Sequence, residues 1–350
     1  MQIDFHHGVT YVVARLAGFH HPESEIIAYS AQYVDDAINQ GVVRFKNSKT
    51  LFRRISSAHR MLDYRNFETL AKNPVWIPFH FLPNGGKHPD QNLIDKLICR
   101  PNSPVAQAMV RHCILQQNNL HSLHRLGITM HVFADTWAHQ GFAGINHEIN
   151  KVSELVDADG QPDHHLRDRL AGYFVSKALP LGHGGALSYP DRPYLIWGYT
   201  NGHKEIVRRH NPNDFLTAAD EMCKAMQRYR LGDPDASVSG LVEPDRSYIA
   251  HLISNLTSPD KKERHQQWLE HISQGKFSFG ASQVSYIDKG VGSWKYAALG
   301  TDSAKDDSDE IFTYQNSFLG SNWKLFHEAL QVHRLFILQD LLPQYGIRLT

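Results

Sequence analysis

The chain has 350 residues, enough to bury one large core or two smaller ones. Lys+Arg and Asp+Glu both number 36, so the formal charge is zero and no long-range attraction to nucleic acid or an anionic bilayer follows. Cys99, Cys113 and Cys223 are too few and too far apart for a disulfide framework or a cysteine-based zinc site, which leaves the 23 histidines as the unusual feature of the composition. The opening residues Met1 to His7 lack a basic segment followed by an apolar one, and no apolar run reaches the length of a membrane span. The expected location is cytoplasmic as made, with signal-independent export left open, and no integral membrane segment is expected.

Along the chain, Val9, Val12, Val13 and Leu16 fall close to helical spacing, and Gly18 predicts the stop. Pro22 opens a second predicted helix that runs to Asn39, with Ile26, Ile27, Ser30, Tyr33 and Ala37 on one face. That helix also carries the doublet Asp35-Asp36. Residues 42–75 are mixed: a basic cluster (Arg44, Lys46, Lys49, Arg53, Arg54), read as a solvated face, precedes a helix expected over 57–70. Pro74, Pro78 and Pro83 argue against a helix interior and predict an extended, buried connection that holds His80 between Phe79 and Phe81. Ser103-Pro104 has the form of a helix start, a capping hydroxyl followed by proline at the first helical position.

A helix expected over 119–142 contains the stretch around which the rest is organised. His131, Asp135 and His139 advance by four residues each and so share one stripe. Between them lie Val132, Phe133, Ala134, Trp137 and Ala138, so the stripe is expected to be buried. A carboxylate buried among apolar groups is costly unless it is paired or ligates a metal, and a set of imidazole and carboxylate donors suits zinc. The plainer alternative is a packed helix whose histidines bond neighbouring carbonyls. Trp137 itself is read as core, and His59, His121 and His124 as structural.

Residues 150–168 are polar and loop-like, and a Gly/Pro-rich loop follows with His183 and Asp191. Helices are expected over 214–230, 259–273 and 322–341, with residues 275–320 irregular or partly β. The fold class expected is all-α. Residues 1–200 would form a helical core, and 201–350 a mainly helical, irregular elaboration packed on the same domain.

Several chemistries are absent. The chain has no Gly-rich phosphate loop, no Gly-x-Ser-x-Gly turn and no His-Asp doublet, and Lys151 stands where a zinc-protease motif begun at His147-Glu148 would need its second histidine. What remains resembles the zinc-dependent phospholipase C superfamily, which also holds single-strand nucleases and a phospholipase D acting on glycolipid anchors. His6 before Val9-Tyr11-Val12, Asp35 in Ala31-Gln32-Tyr33-Val34-Asp35, and His80 in Phe79-His80-Phe81 are similar to the family's ligand-bearing segments. His131, Asp135 and His139 match its central helix, with the short gap before His139 closest to the phospholipase D branch. The last His/acid pair is either His164/Asp168 or His183/Asp191. The second is preferred because a rigid Gly/Pro loop preorganises ligands. The family's N-terminal amine often ligates as well; here that would be Met1, with Asp4 as the substitute. The resemblance covers about the first 190 residues.

The resemblance implies an all-α domain with two or three zinc ions held by His6, Asp35, His80, His131, Asp135, His139, His183 and Asp191. It also implies a phosphodiester hydrolase working through a metal-activated water, with Asp35 bridging ions or orienting that water. A phospholipid or other small phosphodiester is the first substrate class. Single-stranded nucleic acid is the second, with Trp76, Trp197 and Tyr199 as candidate stacking platforms. A non-catalytic, metal-stabilised scaffold or binding protein is the reading from a different class.

Overall fold

The computed structural model describes residues 1–59, 75–86, 91–161, 182–303 and 311–349. The chain opens in a π-helical segment, Asp4–Val9, that runs into α1 (Thr10–Leu16). Gly18, at φ +96°, turns the chain out of it. In α2 (His21–Asp36), Pro22 sits in the first turn and the Glu23 carboxylate accepts from the His20 amide at 2.8 Å. Trp76–Phe79 forms one helical turn, α3, where an extended connection was expected. Pro78 is tolerated because it lies in a first turn, whose amides have no intrahelical acceptor to lose. The helix expected over 57–70 falls mostly outside the described residues.

After α4 (Leu93–Leu97), the Ser103 hydroxyl caps α5 (Pro104–Leu115), accepting from the Ala106 amide at 3.2 Å. The central helix is α6, Ser122–Ala138, with His139 as its C-cap. It crosses α2 closely at Gly127, where a Cβ would stand 2.3 Å from the Ile27 carbonyl oxygen. Only glycine permits that approach, and it brings the Asp35 end of α2 to the His131 turn of α6. The C-terminal half adds α7 (Asn211–Leu231), α8 (Asp245–Asn255), α9 (Lys261–Ser273), α10 (Trp294–Leu299) and α11 (Asn322–Leu335), the last continuing as a π-helical segment over Phe336–Leu341. α7 and α11 both pack on α6. One buried cluster takes Val12, Ile27 and Met130 together with Phe215, Met222, Ile249 and Trp268, so the chain on either side of residue 200 shares a core.

The all-α expectation is overturned by two three-stranded sheets. In one, β1 (Gly41–Phe45) pairs antiparallel with β2 (Leu51–Arg54) and parallel with β6 (Ile311–Phe312). In the other, β3 (Ser153–Val156), β4 (Ile196–Thr200) and β5 (Ile206–His210) form an antiparallel meander. The fold is mixed α and β, about half helix and a tenth strand. These strands escaped the sequence pattern because none exceeds five residues, and in β4 Trp197, Gly198 and Tyr199 are buried in succession, which breaks the period of two. Among the described residues no helix is long and apolar enough to cross a membrane.

Candidate metal centre

Helices α2 and α6, the N-terminal π-helical segment, the residue after α3 and the loop over 182–195 converge on one point. They bring together all eight residues singled out from the sequence. His131 Nε2 lies 3.3 Å from Asp135 Oδ2 and 3.9 Å from Asp35 Oδ1. His80 Nδ1 lies 3.5 Å from Asp135 Oδ2 and 3.3 Å from His131 Nε2. His6 stacks on His131 with centroids 3.8 Å apart, and its Nε2 is 3.2 Å from Asp135 Oδ1. His139 Nε2 and His183 Nε2 meet the Asp191 carboxylate at 3.2 and 3.3 Å. Donor atoms fall into three groups that could each hold an ion: His6/Asp35/His131, His80/His131/Asp135 and His139/His183/Asp191, each within 4.8 Å. The alternative pair His164/Asp168 lies outside the described residues.

The outer face of each imidazole fixes what its inner face can do. His131 Nδ1–H donates to the Ala31 carbonyl at 2.7 Å, His139 Nδ1–H to the His80 carbonyl at 2.7 Å, and His183 Nδ1–H to the Leu187 carbonyl at 2.8 Å. His80 is turned the other way, its Nε2–H donating to the Ser57 carbonyl at 2.9 Å. A carbonyl can only accept, so in the neutral ring each proton sits outward and each lone pair points into the cluster. This is the outer-shell arrangement that orients metal-bound histidines. His6 has no hydrogen-bond partner on either nitrogen, nor has Asp135 Oδ2. Buried polar atoms left this way fit a missing cation.

Charge points the same direction. Burial holds the His6 ring at about 3, with His131 and the terminal amine adding to the effect, so it is a neutral donor at neutral pH. Burial also lowers His183, against the pull of Asp191. Burial opposes ionisation of Asp35, Asp135 and Asp191, yet the surrounding histidines and the amine outweigh it and hold all three below the usual carboxylate range. The amine of Met1 lies 2.5 Å from Asp135 Oδ1 and 3.2 Å from Asp191 Oδ1. Burial disfavours its charge, but the three carboxylates push it up to about 11. Three carboxylates thus face one ammonium, an imbalance that cations or imidazolium protons must cover.

Asp4 does not substitute for the amine. Its Oδ2 accepts from Arg264 Nε at 2.5 Å, and the same guanidinium reaches Gln2 Oε1 at 2.5 Å and the Ser258 carbonyl at 2.6 Å. Arg264 therefore pins the N-terminal segment against α9. Asp36, the neighbour of Asp35, accepts from Tyr286 and Gln32 at 2.6 and 2.9 Å and faces away from the histidines. His124, read as structural, bonds Asn322 at 3.1 Å, and Trp137 is core. Two of the three proposed stacking platforms fail: Trp197 and Tyr199 are 1% and 2% exposed, packed with Phe81 and Phe142 behind the site. Phe81 stacks on His139 at 4.6 Å and fixes that ring instead.

Sequence reasoning missed Arg209 as well as Arg264. The buried Arg209 guanidinium donates to the Trp137 and Ala138 carbonyls at 2.8 and 3.2 Å, closing the end of α6 where His139 leaves it. A lone arginine seventy residues downstream carries no local signal of that role. Arg209→Lys keeps the charge but loses the planar fork. It is expected to weaken metal binding about tenfold, as loss of outer-shell support does. Competition against a chromogenic chelator measures this, and unchanged affinity would remove Arg209 from the support of the site.

No curated protein matches the chain, and no solved structure does. Residues 1–341 match the family of unknown function DUF6765, and the chain belongs to that family.

Proposed function

We propose that the chain is a zinc-dependent phosphodiester hydrolase of the phospholipase C type. The observation that carries this reading is the set of four imidazoles whose outer N–H groups are tied to backbone carbonyls. Their lone pairs converge on Asp35, Asp135 and Asp191. Nitrogen-rich sets with carboxylates suit zinc among the common ions. When bound, such ions supply Lewis-acid polarisation of a phosphoryl oxygen and a water of lowered pKa.

The chain's own residues divide the remaining work. His80, His131 and His139 are rigidly held and orient the donors. Asp135 is almost fully buried and balances charge at the centre. Asp35 is the most exposed of the ligand candidates, its side chain 32% exposed against 19% for His183 and 13% for Asp191, so it stands where substrate enters and can accept a proton from an incoming water. That open side supports catalysis over a closed structural site. Burial of Trp197 and Tyr199 supports a small phosphodiester, such as a phospholipid headgroup ester, over single-stranded nucleic acid.

The test is metal analysis of protein purified without chelators, with turnover of a chromogenic phosphodiester. Two or three zinc ions per chain are expected, with hydrolysis lost on chelation and restored by zinc. His183→Ala is expected to lose the ion of its group and most activity. A single fully coordinated ion and no turnover would support the scaffold reading.

A further inference from the structure

The outer face of the β2-β1-β6 sheet is a feature that the proposed hydrolysis does not use. Directly paired residues project to the same side of a sheet. Val42 therefore shares a face with Arg53, while Leu51, Arg44 and Ile311 form one row across three strands. Val42, Leu51 and Ile311 are 42%, 66% and 52% exposed, and Arg44, Arg53 and the turn residues Lys46 and Lys49 are exposed beside them. None of the four cations makes an ion pair with a described residue. Lysine and arginine often guard edge strands against unwanted pairing. That accounts for Arg53 on the edge strand β2 but not for Arg44 on the central β1, nor for three large aliphatics set between the charges.

We propose that this face docks on an anionic lipid surface. Aliphatic tips reach the acyl boundary while the guanidinium and ammonium groups meet headgroup phosphates, a division that suits an interfacial surface. The balanced charge of the whole chain bears on this only through what lies within a Debye length of about 10 Å, and the sequence places Asp306, Asp307, Asp309 and Glu310, outside the described residues, directly before Ile311. Nucleic acid fits less well. Phe45 and Phe52 point inward onto Phe318, so the outer face offers no ring for base stacking.

The location adds a reason. β2 ends at Arg54, and three residues on, Ser57 holds both sides of the candidate site. Its carbonyl accepts from His80 at 2.9 Å and its hydroxyl donates to the Val34 carbonyl, next to Asp35, at 2.7 Å. Three residues span at most about 11 Å. The strand that carries Leu51 and Arg53 therefore ends close to a residue that supports the site.

The test is co-sedimentation of the full chain with phosphatidylcholine vesicles, with and without phosphatidylserine, at low and high salt. A single-stranded oligothymidine competes in a parallel arm. Binding is expected only to the anionic vesicles and to weaken with salt. Arg44→Gln/Arg53→Gln should lower the partition coefficient by about 30-fold, and Leu51→Ser should lower it as well. Lys46→Gln/Lys49→Gln alters only the turn and should lower it comparably, which guards against a variant with a disturbed sheet. Binding is read without turnover, so it stands or falls apart from the hydrolase reading. The proposal is overturned by equal binding to neutral vesicles, by no binding at low salt, by undiminished binding in the Arg44/Arg53 variant, or by oligothymidine displacing the vesicles.

Discussion

Asp135→Asn is expected to empty the His80/His131/Asp135 group and abolish phosphodiester hydrolysis while the protein stays folded at 25 °C. The Asp135 carboxylate is the hub of the cluster: its oxygens lie 2.5 Å from the Met1 amine, 3.2 Å from His6, 3.5 Å from His80 and 3.3 Å from His131. Asparagine keeps the volume and one acceptor, so the packing of α6 survives. It deletes the charge that offsets a divalent ion, and it leaves the buried ammonium with Asp191 as its remaining close partner. Removing one member of a buried pair costs about 3–5 kcal/mol, which a chain with about 5–15 kcal/mol to lose can withstand. Asp191→Asn is the internal comparison. It touches His139, His183 and the amine, so it should empty one group and leave the His6/Asp35/His131 group able to load. Zinc analysis, circular dichroism and turnover of a chromogenic phosphodiester on both variants separate these outcomes. Full zinc and wild-type turnover in Asp135→Asn would take Asp135 out of the site.

The hub was legible in the sequence because its information is local. A spacing of four on an apolar helix states which side chains share a stripe, whatever the rest of the chain does. His183 and Asp191 came from the resemblance, and the Gly/Pro loop only ranked them above His164/Asp168, which lie outside the described residues. The resemblance favoured Asp35 over Asp36, but the residues themselves did not, since the two differ only in what lies opposite them, Tyr286 and Gln32 on one side and histidines on the other. Arg209 and Arg264 were illegible because the contacts that tie them to the site, the Trp137 and Ala138 carbonyls and the Asp4 carboxylate, are distant in sequence. The strands were misjudged for a similar reason. A strand of two to five residues is specified by its neighbours, and β1 borrows β6 from the far end of the chain. A long, apolar, periodic helix declares itself; a short strand is defined by pairing.

Lowering the pH from 7 to 5 is expected to destabilise the metal-free protein by about 6 kcal/mol through histidines remote from the site. His124 and His265 are each held at about 4 and His333 at about 3, in every case chiefly by burial. His124 is boxed in by Trp294 and Asn322, and His265 shares a hydrogen bond with the buried His7 at 2.9 Å. His333 stacks on Phe79 and donates to the Pro78 carbonyl at 3.1 Å, tying α11 to the turn that precedes His80. In the unfolded chain each ring titrates near its ordinary value of about 6.5. Between about pH 6.5 and 4 the unfolded state therefore binds more protons than the native one, and stability falls as pH falls. Each ring contributes about 2 kcal/mol of that loss by pH 5, set against a total of about 5–15 kcal/mol. Asp35, Asp135 and Asp191 have the same sign, but their folded values lie below the carboxylate range, so their loss comes at lower pH. His80 acts oppositely: the neighbouring carboxylates of Asp135 and Asp35 outweigh burial and raise it, so its contribution is present below about 6.5 and is lost as pH rises through the raised value. Raised Asp4, Asp36 and Asp214 offset a further part. Urea unfolding of chelated protein at pH 7, 6 and 5 measures the net slope. His333→Gln keeps a donor for the Pro78 carbonyl while deleting one titrating group, so it should flatten that slope by about 1.4 kcal/mol per pH unit. A slope in His333→Gln equal to that of the unaltered chain would mean that this ring is protonated in the native state, and the burial argument would fail there.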